Sequence, residues 1–387
     1  MMTLLFAAPF RINFMKTFSI TLGKPFGIPT TIHWTFWILI IWIIYANASQ
    51  GQGRAEILWY ILFVFSIFAC VVLHELGHAI AARRYGIQTR SITILPIGGV
   101  ASLEKIPEDP KQELVVAVAG PLVNVVIATG LWLFLSATGK LSLGMESLEE
   151  VTHINGSNFF IALLSVNLLL VLFNLIPAFP MDGGRMFRAL LAFKMSRVKA
   201  TEWAVNVGTF FAVLFVFWGF SNNPFLIFIA LFIFLSAQSE LNHVRTESFL
   251  HGYKVGDILM QDYTILQSTD PLKHAVEVLL NGQEERFLVA NEQTIIGTLS
   301  KTNIIKGLTD QGEEVLIGKV MNPELVWLTT EDSLQHAQEM MMQKGANILP
   351  VGTQQMLDGV VDIDNLNEFL LIRKATSHKK SMIGDQA

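Results

Sequence analysis

The stretch Val71-Val72-Leu73-His74-Glu75-Leu76-Gly77-His78 closes an apolar run that begins near Ile57, and it decides how the rest of the chain is interpreted. Two histidines four residues apart on a helix differ by about 40° of rotation and roughly 6 Å of rise, so both imidazoles can reach one Zn²⁺. Glu75 lies between them and close enough to act as a base toward a metal-activated water. Because an ionisable residue costs at least ~2.5 kcal/mol at the centre of a bilayer, this group is a candidate functional site.

The composition is that of a membrane protein with a soluble tail. The chain has 387 residues, of which 52% are hydrophobic and 15% charged, whereas soluble chains carry about 25% charged residues. Charged residues are scarce mainly before about residue 245. The net charge of −5 gives no reason to expect a nucleic-acid partner. The single cysteine excludes an intramolecular disulfide and suits a reducing compartment.

Apolar runs and basic loops together predict the membrane topology. Six spans are predicted, at residues 32–46, 56–82, 113–137, 158–179, 201–220 and 224–241. Arginine and lysine concentrate in alternate loops, which by the positive-inside rule places both termini in the cytoplasm. An N-terminal apolar patch at residues 4–10 is too short to span and lacks the basic start of a signal peptide, and Met15 is a second candidate start.

The loop after the second span, residues 86–104, alternates polar and apolar residues, which predicts a short β-hairpin turning at Gly98-Gly99. Two interpretations stay open. The hairpin is either a plain cytoplasmic loop or a strand edge placed beside the metal site.

A third metal ligand is predicted in the loop after the fourth span, which runs from Asn174 to Arg185. Pro177 and Pro180 end the helix, so Asp182 is expected on irregular backbone rather than on a helix face. His74, His78 and Asp182 would give a three-ligand zinc site with an open fourth position. His78 lies at the cytoplasmic end of the second predicted span, and Asp182 lies just past the cytoplasmic end of the fourth. The alternative is that Asp182 is a carboxylate outside the metal's ligand set.

Four further polar or reactive residues lie in the predicted spans. Asn124 either holds the substrate carbonyl or the developing oxyanion, or hydrogen-bonds between helices. Asn174 has the same two interpretations, with the structural one favoured. Cys70, one turn before His74, is expected to be an inert packing residue, and His33 an interfacial residue rather than a ligand.

Beyond about Lys254 the chain repeats itself with an offset of 62 residues. The matching pairs are Gly256 and Gly318, Leu272 and Leu334, His274 and His336, Ala275 and Ala337, Glu277 and Glu339, Gly297 and Gly359, and Asn303 and Asn365. Each copy predicts an extended lead-in, a helix (272–282 or 334–345), two strands (286–290 and 294–299, or 347–351 and 357–362) and a last helix. Two related units packed together are expected.

Three motifs in order resemble the site-2 proteases: His74-Glu75-Leu76-Gly77-His78, the Gly120-Pro121-x-x-Asn124 step, and Asn174-x-x-Pro177-x₄-Asp182-Gly183-Gly184. The resemblance covers about residues 17–240. It implies an intramembrane zinc endopeptidase in which both histidines and the aspartate bind zinc and Glu75 is the catalytic base. It also implies that the 86–104 hairpin guides an unwound substrate strand by edge pairing.

The repeat resembles a tandem pair of CBS domains, which implies regulation and binding of ATP, ADP or AMP. The Thr/Ser-x-x-Asp motif that holds ribose in many such domains reads Ser300-Lys-Thr-Asn303 and Asp362-Ile-Asp-Asn365 here. Asparagine therefore replaces the last aspartate of the motif in both copies, and the charge-assisted bond to ribose is lost. A docking or dimerisation module that forms a homodimer is the alternative. CBS-bearing site-2 proteases include sporulation enzymes that process a membrane-tethered sigma-factor precursor.

The predicted fold is a polytopic α-helical membrane domain of six transmembrane helices with a short β-hairpin, followed by a soluble α/β tandem CBS module of the Bateman type. The predicted boundaries are 1–245 for the membrane domain, 246–373 for the CBS pair (254–309 and 316–373), and 374–387 for a disordered tail. The expected partners are the lipid bilayer and a transmembrane substrate, such as an anti-sigma factor or a membrane-tethered transcription-factor precursor. The alternative functions are a CBS-regulated ion or metal transporter and an inactive membrane scaffold.

Overall fold

The computed structural model describes residues 19–96, 98–103, 107–140, 154–221, 223–282 and 284–384. These residues form two compact units, 19–244 and 245–384. The predicted N-terminal patch at 4–10, Ile97 and Glu104 of the predicted hairpin, Asn222 of the turn between the last two spans, and residues 385–387 of the predicted tail lie outside the described residues.

The first unit combines helices with one small sheet. Its elements are β1 (Ser19–Gly23), β2 (Thr30–His33), α1 (Thr35–Ser49), α2 (Arg54–Arg83), β3 (Thr89–Leu95), β4 (Gly98–Leu103), α3 (Pro110–Ala137), α4 (Phe159–Leu175), α5 (Asp182–Ala192), α6 (Arg197–Ser221) and α7 (Phe225–Leu250).

The sheet has the order β1-β2-β3-β4, with β2 parallel to β3 and the other pairs antiparallel. Residues of the 86–104 loop thus form two paired strands, but Gly98 and Gly99 are paired with Leu95 and Ile94 instead of forming the turn. The prediction of the turn is wrong by about two residues, because Gly98 already pairs in β4 with a φ of 138° and Gly99 packs closely against Glu75. β1 and β2 were not predicted.

Among the described residues, four helices are long and apolar enough to cross a bilayer: α2, α3, α6 and α7. The apolar helices α1 and α4 are shorter, at 15 and 17 residues. The predicted fourth span, 158–179, is too long, because α4 ends at Leu175 and Ile176, which precedes Pro177, has extended backbone.

The expectation that Asp182 lies on irregular backbone is also wrong. It is the first residue of α5. The new helix begins after a short connection at residues 176–181, and the bare backbone at Gly183 and Gly184 lets its first turn lie against that connection.

Helix ends and a close helix crossing have clear local causes. The Asp109 side chain caps α3 by accepting from the backbone N–H of Lys111 at 2.8 Å and of Gln112 at 3.0 Å. Helices α2 and α3 approach closely at Gly77, where a Cβ would lie 2.7 Å from the Ala119 carbonyl oxygen. This crossing brings the HELGH turn against the middle of α3.

The second unit contains the two repeats. Its elements are β5 (Ile265–Gln267), α8 (Leu272–Asn281), β6 (Arg286–Asn291), β7 (Thr294–Ser300), α9 (Lys301–Gln311), α10 (Ile317–Val320), α11 (Leu334–Lys344), β8 (Ile348–Gly352), β9 (Leu357–Asp362) and α12 (Ile363–Gly384). The predicted order of helix, two strands and helix is confirmed in both copies.

The two copies exchange their lead-ins. Met260, from the lead-in of the first copy, forms two backbone hydrogen bonds with Val360 in β9 of the second copy, both 2.9 Å long. Asn322, the equivalent residue of the second copy, pairs with Thr298 in β7 of the first at 2.8 and 2.9 Å. Each small sheet is therefore completed by the other copy.

The last helix is longer than predicted. Residues 374–387 are expected to be disordered, whereas α12 continues to Gly384. The segment from Lys374 to Ile383 contains no proline or glycine, so nothing in the local sequence breaks the helix before Gly384.

Candidate metal centre

Three predicted ligands meet at one point in the first unit. The Nε2 atoms of His74 and His78 lie 3.1 Å apart, and Asp182 Oδ2 lies 3.1 Å from the first and 3.2 Å from the second. All three side chains are buried. Among the described residues, this is the group of histidine, cysteine and acidic side chains arranged to hold a metal ion.

The donor atoms fit a zinc ion. Zinc–nitrogen bonds of 2.0–2.1 Å in a tetrahedron place neighbouring ligand atoms about 3.3 Å apart, close to the separations here. The ring of His78 donates from Nδ1 to the Val116 carbonyl oxygen at 2.7 Å, which leaves a lone pair on Nε2. That lone pair faces the carboxylate of Asp182 and the second imidazole. Converging lone pairs repel each other unless a cation lies between them.

Glycines create the space for this group. A Cβ at Gly120 would lie 2.2 Å from His78 Nε2 and 2.7 Å from His74 Nε2, so both rings lie against the bare backbone of α3. At Gly183 a Cβ would lie 2.3 Å from the Ile176 carbonyl oxygen. The loop before α5 can therefore fold directly onto the first turn of that helix and present Asp182 to the histidines.

Glu75 lies beside this group and against the sheet. It is 6% exposed, and a Cβ at Gly99 would lie 2.9 Å from its Cγ. Gly99 belongs to β4, an edge strand of the sheet. The carboxylate residue that follows His74 in the chain therefore packs against an edge strand.

Asn124 contacts a histidine. Its Oδ1 lies 2.8 Å from His74 Nδ1, and its Nδ2 donates to Asn167 Oδ1 at 3.1 Å. The amide oxygen and one N–H are thus engaged in a fully buried position, which favours hydrogen bonding between helices over the prediction of a substrate-carbonyl donor. Metal-binding histidines commonly have such a partner on the second ring nitrogen, because it fixes their orientation.

Asn167 is the residue that sequence reasoning missed. It is fully buried in α4 and contacts both Asn124 and, at 3.5 Å, Cys70 Sγ. An asparagine in an apolar helix was the available signal, since a buried amide needs partners.

The other polar residues that the sequence singled out lie apart from the metal ligands or pack against the network behind them. Asn174 donates to the Leu170 carbonyl oxygen of its own helix at 2.9 Å, which agrees with the structural interpretation. Cys70 is buried in an apolar cluster. His33 lies in β2, is buried, and has Nδ1 2.8 Å from Thr35 Oγ1.

Comparison with known proteins identifies the family to which the chain belongs. The sequence matches peptidase family M50 over residues 62–215 and the CBS domain over residues 317–372. A zinc metalloprotease of Methanocaldococcus jannaschii is 34% identical over 290 residues, which are 75% of this chain and 80% of that protein. Stage IV sporulation protein FB of Bacillus subtilis is 28% identical over 213 residues, or 54% of this chain and 66% of that protein.

A solved structure is also similar. A site-2 protease from Methanocaldococcus jannaschii is 38% identical, and the match covers 58% of this chain and 95% of that chain with a TM-score of 0.42. The match to family M50, together with 34% identity over four-fifths of that zinc metalloprotease, decides the family. The chain belongs to peptidase family M50, the site-2 proteases, and is a membrane zinc metalloprotease with a CBS domain.

Proposed function

We propose that this metalloprotease hydrolyses peptide bonds within or next to the transmembrane segments of other membrane proteins. The observation that carries the proposal is the meeting of His74, His78 and Asp182 in a buried position, with both histidines on a helix long and apolar enough to span a bilayer. A substrate that reaches these side chains must enter the same apolar surroundings.

In this proposal each residue has a distinct role. His74, His78 and Asp182 would hold a zinc ion, which would supply Lewis acidity toward the scissile carbonyl and toward a water molecule. Glu75 accepts the proton from the attacking water and donates it to the leaving amine. Asn124 holds the ring of His74. The edge of β4 beside Glu75 offers backbone groups to an extended substrate segment, which keeps the peptide unwound during cleavage.

Two substitutions test these roles. Glu75→Gln should retain one zinc per chain but lose cleavage of a membrane-embedded model substrate, because glutamine cannot accept the proton. Asp182→Ala should lower the zinc content, measured by metal analysis of the purified protein. Cleavage by the Glu75 variant would contradict the mechanism, and unchanged zinc in the Asp182 variant would remove that residue from the ligand set.

Six spans with both termini in the cytoplasm remain part of the proposal. The four long helices support it, and α1 and α4 would supply the remaining two. Single cysteines test the topology in a Cys70→Ser background. An impermeant maleimide should label a cysteine at Gly51 or Lys140 on intact cells and one at Lys194 only after permeabilisation.

The CBS pair would regulate the protease from the cytoplasm, with ATP, ADP or AMP as ligand. In both copies the ribose-binding position caps a helix: Ser300 Oγ accepts from Asn303 N at 3.3 Å and Asp362 Oδ1 from Asn365 N at 2.7 Å. These caps fit the docking alternative equally well. A rise in the melting temperature with one nucleotide would support binding, and no shift with any of the three would favour docking or homodimerisation.

The substrate would be a transmembrane protein such as an anti-sigma factor or a membrane-tethered transcription-factor precursor. The similarity to a sporulation protein supports this class. Crosslinking the Glu75→Gln variant in cells and identifying the retained membrane protein by mass spectrometry tests it. The alternative of a CBS-regulated transporter is not favoured, because the family is one of metalloproteases.

A further inference from the structure

A chain of two buried amides connects His74 to the backbone of α4. His74 Nδ1 lies 2.8 Å from Asn124 Oδ1, Asn124 Nδ2 donates to Asn167 Oδ1 at 3.1 Å, and Asn167 Nδ2 donates to the Leu163 carbonyl oxygen at 2.9 Å. Both asparagines are 0% exposed. The three links run through helices α2, α3 and α4.

The Leu163 carbonyl oxygen, at the end of this series of hydrogen bonds, fixes the orientation of both amide groups. A carbonyl oxygen such as that of Leu163 can only accept, so Asn167 must turn its NH₂ group toward it. The oxygen of Asn167 then faces Asn124 and accepts from its NH₂ group. Asn124 is thereby left with its oxygen toward His74, and this oxygen requires a proton on Nδ1.

The proton on Nδ1 decides what His74 offers on its other nitrogen. With Nδ1 protonated, the neutral ring presents a lone pair on Nε2, which is the form that binds a metal ion. If the Asn124 amide were reversed, its NH₂ group would face Nδ1 and select the ring with a proton on Nε2. That proton would point at Asp182 and His78, where the metal ion belongs.

The second histidine does not need this arrangement. His78 Nδ1 faces a main-chain carbonyl oxygen, that of Val116, at 2.7 Å. A helix carbonyl cannot turn round, so this ring is fixed directly. A side-chain amide can reverse at no cost in volume, and His74 therefore depends on whatever holds Asn124.

We propose that Asn167 is a positioning residue of the metal centre: through Asn124 it fixes the proton of His74 on Nδ1 and keeps Nε2 available to zinc. The inference rests on the proposed ligand set of His74, His78 and Asp182. It assigns to α4, which supplies no ligand, control over the metal affinity of the site.

Zinc affinity of the purified full-length protein tests the proposal, measured by competition with a chromophoric chelator. Asn167→Leu should weaken zinc binding about 10-fold, the lower end of the effect of removing a ligand's own hydrogen-bond partner, because Asn124 remains beside His74. Asn174→Leu is the matched control, since Asn174 lies in the same helix and makes the same 2.9 Å bond to its own helix carbonyl. The control should bind zinc as the wild type does, and the melting temperatures of both metal-free variants show whether either has lost its fold.

The same substitution in an Asn124→Asp protein distinguishes control of the His74 proton from an effect of Asn167 on packing. In Asn124→Asp either carboxylate oxygen can accept from Nδ1, so the orientation of residue 124 no longer matters. Asn167→Leu should then cause no further loss of zinc affinity. An equal loss in both backgrounds would overturn the proposal, because Asn167 would act by packing alone.

His74→Ala distinguishes failure of the inference from failure of the proposed site. If His74→Ala retains zinc, the ligand set is wrong and the inference falls with it. If His74→Ala loses zinc while Asn167→Leu binds like the wild type, the site stands and the positioning role alone is overturned.

Discussion

At the scale of single residues, Gly120 provides the space in which the two histidines meet. A Cβ there would lie 2.2 Å from His78 Nε2 and 2.7 Å from His74 Nε2, far inside van der Waals contact. The sequence identifies the Gly120-Pro121 step only as part of a motif. Its physical reason is that α3 and the imidazoles of α2 must touch without an intervening side chain.

Gly120→Ala should therefore displace both rings and abolish stoichiometric zinc binding, measured by metal analysis of the purified protein. Gly130→Ala is the matched control, because Gly130 lies in the same helix and a Cβ there meets no atom within 4 Å. The control should bind one zinc per chain. Full zinc content in the Gly120 variant would contradict the packing argument.

At the scale of helices, Arg188 connects the short helix that begins with Asp182 to two long ones. Its guanidinium is fully buried and forms ion pairs with Glu113 of α3 and Glu240 of α7, and Nε donates to Glu113 at 2.8 Å. The Phe179 ring lies 5.0 Å from the same guanidinium. Arg188 lies between the predicted fourth and fifth spans, and only the ion pairs with Glu113 and Glu240 show that its side chain is buried.

Arg188→Met should destabilise the first unit by about 3–5 kcal/mol, since it leaves two buried carboxylates without their cation. Thermal unfolding in detergent measures the effect. The triple variant Arg188→Met, Glu113→Leu, Glu240→Leu should recover most of the stability, because no buried charge then remains. A single variant as stable as the wild type, or a triple variant less stable than the single one, would show that the cluster does not act as an ion network.

At the scale of the whole molecule, the two units are held together by different kinds of contact. The first consists largely of apolar helices that enclose the metal-ligand group and the ion pairs of Arg188. The second is an interlocked pair in which each copy receives backbone hydrogen bonds from the lead-in of the other. The repeated glycines mark these junctions: a Cβ at Gly297 would lie 2.7 Å from the Asn322 carbonyl oxygen, and one at Gly359 2.5 Å from that of Met260.

Gly359→Val should lower the stability of the second unit by about 1–3 kcal/mol, the usual cost of overpacking. The strand would have to move away from the exchanged lead-in. Thermal unfolding monitored in the second unit measures the change. Asp358→Val is the control, because the adjacent side chain is exposed on the same strand. Equal stability of the two variants would contradict the role assigned to the glycine.

The sequence by itself determined what depends on neighbours along the chain. The spacing of His74 and His78, the apolar runs and the 62-residue repeat each follow from the period of a helix or a strand, or from duplication. Tertiary structure decided the rest, because helix packing settles which groups lie within about 3 Å of each other. Asn124 bonds a histidine, Asn167 bonds Asn124, and Arg188 is buried between carboxylates. Each of these contacts joins residues of different helices, so no local sequence pattern predicts it. The approach of Asp182 to His74, 108 residues away, was expected from the family motifs, and the structure supplies its geometry.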